Sequence, residues 1–291
     1  MLSLMLHLLT VAPTRLISRL VGHFARTRWP RFFMRPFLRW YARRYGVNLE
    51  EAEHPLDHYT CFNDFFTRRL KPGLRPLDPA PNTLISPVDG AIAMHGPLDG
   101  TQAIQAKGIS YSLEDFLDDP DAAQRFRGGS FLTIYLSPKD YHRIHTPLQA
   151  TVQAYRYIPG RLLPVNPPSV AFFPRLFVEN ERLTSYLHHP HFGHIALVKV
   201  GATNVGRMRL YYHDFISNRW ASPHAHTHTF EHPPSIERGA ELAVFELGST
   251  VVLLFESHIR LRPLQPGDAI RLGQPIADAT HLTEPPSLAR P

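Results

Sequence analysis

Three short segments, far apart in the chain, supply an acid, a base and a hydroxyl. They are Ser86-Pro-Val-Asp89-Gly, Tyr141-His142-Arg-Ile-His145-Thr-Pro and Leu247-Gly248-Ser249-Thr250. Together they hold the parts of a nucleophilic triad, in which a carboxylate orients an imidazole and the imidazole takes a proton from serine. Each also has an ordinary reading. Aspartate before glycine is a common turn pair, His142 and His145 are two of 18 histidines, and a serine after glycine suits a turn. Residue types alone leave both readings open. Two further histidine groups stand out. His224, His226 and His228 alternate, as metal ligands on one face of a strand do, yet an exposed His-rich loop has the same pattern. His188, His189, His191 and His194 read as a polar turn, and no metal is expected.

The elements that must position these residues differ along the chain. From about residue 80, β-type runs such as Ser130–Leu136, His194–Val200 and Thr250–Phe255 are separated by Gly, Pro, Asp and Asn. Ser86–Ile92 and Gly267–Ile276 have the look of strand–turn units, and Tyr111–Leu117 is the best short helix. Gly248 falls where a strand over Glu241–Leu247 meets the run Thr250–Phe255, and glycine tolerates the backbone distortion that exposes a carbonyl to a neighbouring hydroxyl. The first ~50 residues have helical spacing, with Leu2, Leu4, Met5, Leu8 and Leu9 on one side and Leu16, Ile17, Leu20 and Val21 following. The 28 prolines argue against an all-helical fold. The expected class is α+β: N-terminal amphipathic helices, then a mostly antiparallel β core of sandwich or barrel type. The expected division is a helical module over 1–75 and a β-rich domain over 76–291, with a loose tail over 283–291.

The net charge of +6 is concentrated at one end. Residues 1–50 hold nine arginines against the single acid Glu50, while acids slightly outnumber bases in the remainder. Arg31, Arg35, Arg39 and Arg43 recur every four residues, with Phe33, Phe37, Trp40 and Tyr41 between them, and Pro36 is expected to kink or restart the helix. A helix lying on an anionic membrane has this composition. A helix packed on its own core and an Arg-rich RNA-binding segment share its features. No run reaches the ~20 apolar residues that span a bilayer, and Met1–Pro13 lacks the positive start and small-residue cleavage site of a secretory signal. The expected location is therefore peripheral, on the cytoplasmic face of the cell membrane. Cys61 is the single cysteine, which excludes an intramolecular disulfide and is compatible with a reducing compartment.

The three chemistry-bearing segments closely resemble the phosphatidylserine decarboxylase family, whose hallmarks are a PVDG-type aspartate, a YHRxHxP segment and a C-terminal LGST. The resemblance runs from about residue 58 to 277. It includes Phe65-Phe-Thr-Arg-Arg-Leu-Lys-Pro-Gly-Leu-Arg-Pro76, Lys107-Gly-Ile-Ser-Tyr-Ser-Leu113, Val165-Asn-Pro167, Asn180-Glu-Arg182 and Val200-Gly-Ala-Thr-Asn-Val-Gly206. Arg207-Met-Arg-Leu and the His-rich segment 224–232 depart from the family pattern. The resemblance implies a proenzyme that cuts itself between Gly248 and Ser249. His145, oriented by Asp89, would deprotonate the Ser249 hydroxyl for attack on the Gly248 carbonyl, and Ser249 would become a pyruvoyl group. That group serves as the electron sink for decarboxylation of phosphatidylserine, with His142 as proton donor. The implied products of cleavage are chains 1–248 and 249–291, which stay associated. No context around Lys71, Lys107, Lys139 or Lys199 suggests a pyridoxal phosphate site. The implied partners are phosphatidylserine and an anionic membrane through Arg31, Phe33, Arg35, Phe37, Arg39, Trp40 and Arg43. A homodimer is among the assemblies open to it, and nucleic acid is not a partner. Two rivals use the same residues: a serine hydrolase that does not cleave itself, and a membrane-binding module with a vestigial triad.

Overall fold

The computed structural model describes residues 14–98, 102–106, 109–203, 207–218, 224–247 and 249–279, with 102–106, 109, 110 and 249 described by backbone alone. The apolar run Leu2–Leu9, the Lys107–Gly108 pair, Gly248 and the tail lie outside the described residues. Helix α1 (Thr14–Arg26) buries small residues, Thr14, Ser18, Gly22 and Ala25. Its large apolar residues Leu16, Ile17, Leu20 and Phe24 point away from the protein. Helix α2 (Arg31–Tyr45) starts after Pro30 and ends at Gly46, whose φ of 75° lets its N–H cap the Ala42 carbonyl. It runs through Pro36 as one helix. The carbonyl that Pro36 leaves without a helical donor belongs to Phe32, an 84% exposed residue, so water can satisfy it. The inner face of α2 (Met34, Leu38, Tyr41 and Ala42) packs with Phe65 and Phe66 of helix α3 (Phe62–Phe66) in a core of its own.

The strands are β1 (Thr83–Ile85), β2 (Gly90–Pro97), β3 (Gln102–Ala106), β4 (Ile109–Ser112), β5 (Ser130–Leu136), β6 (Arg143–His145), β7 (Ala150–Ile158), β8 (Arg182–His189), β9 (Gly193–Val200), β10 (Arg207–Leu210), β11 (His226–Thr229), β12 (Ser235–Ile236), β13 (Glu241–Glu246), β14 (Ser249–Phe255), β15 (Ile259–Leu261), β16 (Ala269–Ile270) and β17 (Pro275–Ala279). Short helices α4 (Leu113–Leu117), α5 (Pro120–Phe126), α6 (Pro167–Phe172) and α7 (Leu176–Glu179) interrupt them. Helix α4 begins later than the sequence suggests. Ser112 accepts the Asp115 N–H as its N-cap, which leaves Tyr111 in strand β4.

The main sheet runs β11-β7-β8-β9-β14-β5-β2-β16, with β12 added beside β7, and its pairings are antiparallel. Smaller sheets are β10-β13-β6, β1-β17-β15 and β3-β4. The fold is thus α+β, with helices at the N-terminus and a mostly antiparallel β core. The two strand–turn units recognised in the sequence pair with each other: Gly90 lies opposite Ile270 and Ala91 opposite Ala269. Strand β13 is the middle strand of a small sheet, and β14 lies inside the main one. Two residues, 247 and 248, carry the chain from one sheet to the other. Among the described residues no helix is long and apolar enough to cross a membrane.

Candidate active site

The corner between β13 and β14 is built under constraint. Leu247 has a φ of 88°, a conformation that costs a bulky side chain on the order of 1–3 kcal/mol. Its side chain is 6% exposed and packs into the helical core with Ala25, Met34, Leu38 and Phe66. Its neighbour Glu246, also buried, is bridged at 3.2 Å by Arg26 of α1 and at 3.2 Å by Arg209. On the far side, Ser249 is held in register opposite Leu136 of β5. The residue at the apex, Gly248, and the Ser249 side chain are not described.

His142 lies beside this corner. Its carbonyl accepts the Phe245 N–H at 3.1 Å, and its ring sits 4.0 Å from that of Phe66. Nδ1–H donates to the Asp140 carbonyl at 2.8 Å, which leaves Nε2 buried and, among the described residues, without a hydrogen-bond partner. Burial, assisted by the charge of Arg68, pushes its pKa down to about 3. The ring is therefore neutral, with its lone pair on Nε2.

His145 is farther along the same strand pair, opposite Glu241. Its Nδ1–H donates to the Gly239 carbonyl at 2.7 Å, and Nε2 accepts the Tyr141 hydroxyl at 3.1 Å. Burial lowers its pKa below the ordinary histidine value. Asp89 arrives through the Ser86–Gly90 turn, whose Pro87 carbonyl accepts the His145 N–H at 2.9 Å. The Asp89 carboxylate, however, is claimed by Arg75, with Nε at 3.0 Å from both oxygens and Nη2 at 2.6 Å, and by the Leu272 N–H at 2.9 Å. Arg75 also bonds Glu51 at 2.6 Å. The structure thus brings the backbones of the aspartate and histidine segments together, while their side chains bond to other groups.

Tyr141, Arg75, Arg68 and Leu247 are the residues of this site that sequence reasoning did not single out. All four fall inside the quoted segments, so the signal was present without a role attached. Of the remaining histidines, His226 meets Tyr157 and Phe215 in tilted and edge-on contacts, His228 stacks on Tyr155 beside His213, and the 188–194 group spans the β8–β9 hairpin.

The residues expected to meet a membrane all lie on α2. Arg31, Phe33, Arg35, Arg39, Trp40 and Arg43 are exposed. Phe37 is half-buried against Phe62, and Arg35 is engaged by Asp57 at 2.8 Å. Phe24, Trp29, Phe33, Phe37 and Trp40 form a continuous run of ring contacts that joins this face to the outward apolar residues of α1.

Comparison with known proteins identifies the family. The family model described as phosphatidylserine decarboxylase matches residues 62–278, and a second, described as PSD, matches residues 6–46. The chain is 46% identical over 276 residues to a phosphatidylserine decarboxylase proenzyme of Anaeromyxobacter sp. (strain K), covering 93% of this chain and 96% of that one. It is 44% identical to the proenzyme of Myxococcus xanthus (94% and 97% covered) and 42% identical to that of Pseudomonas putida F1 (91% and 94% covered). With a matching family model over most of its length and relatives this similar from end to end, the chain belongs to the phosphatidylserine decarboxylase family.

Proposed function

We propose that this protein decarboxylates phosphatidylserine at an anionic membrane surface, using a pyruvoyl group made from its own Ser249. The observation that carries the reading is the strained, buried corner at Leu247, directly before the Gly248–Ser249 bond and beside an imidazole nitrogen that has no partner among the described residues. In maturation, the Ser249 hydroxyl gives its proton to Nε2 of His145 and attacks the Gly248 carbonyl. The peptide becomes an ester. Elimination then leaves a carboxylate on Gly248 and a dehydroalanine at 249, whose hydrolysis releases ammonia and leaves the pyruvoyl group. The tautomer that Gly239 fixes on His145 supports Nε2 as the basic atom, once Tyr141 releases it. Asp89 is held by Arg75 close enough for its charge to favour a protonated His145.

The corner fits the group, because both its flanks are fixed by neighbouring elements and its surroundings are buried. Once formed, a pyruvoyl carbonyl supplies an electron-accepting centre for the serine amine of the lipid. His142, neutral with its lone pair on Nε2, is assigned to take a proton from the substrate's ammonium group and return it to the substrate carbon after CO₂ departs. Burial makes its imidazolium a strong acid. The small chain stays in place because β14 pairs with both β5 and β9, and Val251–Phe255 are completely buried. The outward apolar face of α1 and the ring run of α2 form the membrane seat, with Arg39 and Arg43 placed for anionic headgroups. The test is intact mass under denaturing conditions. Wild type should give two chains and Ser249→Ala one. A full-length wild type that is labelled at Ser249 by a serine-directed phosphonate would establish the hydrolase reading instead.

A further inference from the structure

A cavity of about 220 Å³ lies between the helical layer and the β core, bounded in part by Arg68, Arg75, Lys139, Arg271, Asp89 and Tyr141. Arg75 is consumed by its bonds to Asp89 and Glu51. Among the described residues Arg68 has no such ion pair. It is 5% exposed and donates through Nη2 to the Lys139 carbonyl at 2.9 Å, while its Nε and Nη1 are buried with no acceptor among those residues. Its guanidinium sits 5.3 Å from the centre of the Phe65 ring. Burial lowers its pKa, the direction of a cation short of a counter-ion. Asp89 and Glu51 raise its pKa only from a distance, because both are bonded to Arg75, so Nε and Nη1 of Arg68 are left for an incoming anion to satisfy. Lys139 and Arg271, both exposed, add positive charge at the rim.

The geometry points to this cavity as an oxyanion site, with Arg68 as its anchor, that takes the phosphodiester of the substrate headgroup. The inference rests on phosphatidylserine being the substrate and adds the residue that recognises it. Planar guanidinium forks suit phosphate oxygens. The alternative anion on the same headgroup, the serine carboxylate, is the group that must leave. A strong ion pair to it would stabilise the ground state more than the transition state and slow the reaction. Only a few bonds separate the phosphate from the serine α-carbon, and Tyr141, which lines the cavity, immediately precedes His142 and bonds His145. A phosphate seated at Arg68 therefore sets the reacting carbon near the histidine assigned to protonate it.

The experiment uses the full chain carrying Ser249→Ala, so that binding does not depend on self-cleavage. Titration calorimetry with glycerophosphoserine, with inorganic phosphate and with free serine separates the sources of the anion. Glycerophosphoserine should bind, inorganic phosphate should compete with it, and serine should not. Arg68→Lys, which keeps charge but loses the fork, should weaken glycerophosphoserine about tenfold or more. The double variant Lys139→Gln/Arg271→Gln, at exposed positions that leave the fold alone, should weaken it several-fold and flatten its salt dependence. Unchanged affinity in both variants overturns the proposal, as does serine competing where phosphate does not. Phosphate binding without glycerophosphoserine binding identifies a free-phosphate site and overturns the headgroup assignment. Intact binding here, together with a wild-type chain (Ser249 present) that releases no CO₂ from phosphatidylserine, refutes the decarboxylase reading and leaves the anion site standing.

Discussion

Leu247 is the residue through which the helical layer acts on the scissile corner, and replacing it tests whether stored strain drives self-cleavage. A positive φ at a leucine costs on the order of 1–3 kcal/mol. Burying its side chain among Met34, Leu38 and Phe66 returns about 1.5–3 kcal/mol. The two are matched in size, so the side chain can hold the backbone where it would not otherwise stay. If about 2 kcal/mol of that strain is released on reaching the tetrahedral state, cleavage gains roughly 30-fold. Leu247→Gly accepts a φ of 88° without cost and has no anchor, so it should cleave about 10–30 times more slowly. Leu38→Ala leaves the junction sequence intact but opens the socket, and should slow cleavage in the same direction by a smaller factor. The assay is a quenched time course of two-chain formation after cell-free synthesis. Melting of the matching Ser249→Ala proteins confirms that the fold survives. A Leu247→Gly chain that cleaves at the wild-type rate refutes the reasoning.

Separate substitutions divide maturation from turnover. Asp89→Asn and His145→Ala should leave a single chain on denaturing gels, whereas His142→Ala should cleave, at least in part, and release little CO₂. The depressed pKa of His142 also makes a pH prediction. An unfolded histidine takes up its proton near 6.5, while this one does so only near 3. The stability it contributes is therefore complete above pH 6.5 and is lost as pH falls toward 3, at up to about 1.4 kcal/mol per pH unit. In the Ser249→Ala background, His142→Gln should make the urea unfolding free energy less steep between pH 6 and 4 by that slope, and an unchanged slope would contradict the neutral assignment. At the membrane, replacing Leu20, Phe24, Phe33 and Trp40 by Ala should weaken co-sedimentation with phosphatidylserine vesicles at all salt concentrations. Arg31, Arg39 and Arg43 replaced by Gln should weaken it mainly at low salt.

The chemistry-bearing positions were legible because backbone and side-chain demands coincide there. Asp89-Gly90 turns the chain into β2, and Gly248 lies where two runs of β-type residues abut. The β runs themselves stood out, since Ser130–Leu136 is both continuous in β-forming residues and buried within the sheet. What the sequence did not reveal depends on contacts between distant segments. The pairing of Asp89 with Arg75, which also holds Glu51, and the bond from His145 Nδ1–H to the distant Gly239 carbonyl are fixed only when the chain has folded. The outward direction of Leu16, Leu20 and Phe24 was hidden for another reason. A helical apolar stripe ordinarily faces a core, and only the small residues Ser18, Gly22 and Ala25 on the opposite side show that α1 packs the other way round.

That inverted helix and its neighbour α2 join two activities that the chain must coordinate. Phe33 and Trp40 on the outer face of α2 belong to the surface proposed to meet lipid, while Met34 and Leu38 on the inner face pack with Leu247. An α-helix with its side chains is only about 10–12 Å across, so the membrane seat and the scissile corner are separated by a single layer. Arg26, at the last turn of α1, reaches through the same layer to Glu246. The path for a headgroup is equally short. Gly46 and Asn48, just beyond the end of α2, line the cavity that contains Arg68. A lipid can therefore keep its acyl chains in the bilayer while its phosphate rounds the end of α2 and its serine reaches the corner. On the proposed reading the substrate need not be extracted from the membrane, and α2, the element proposed to seat the enzyme on the bilayer, also packs with the residue before the proposed scissile bond.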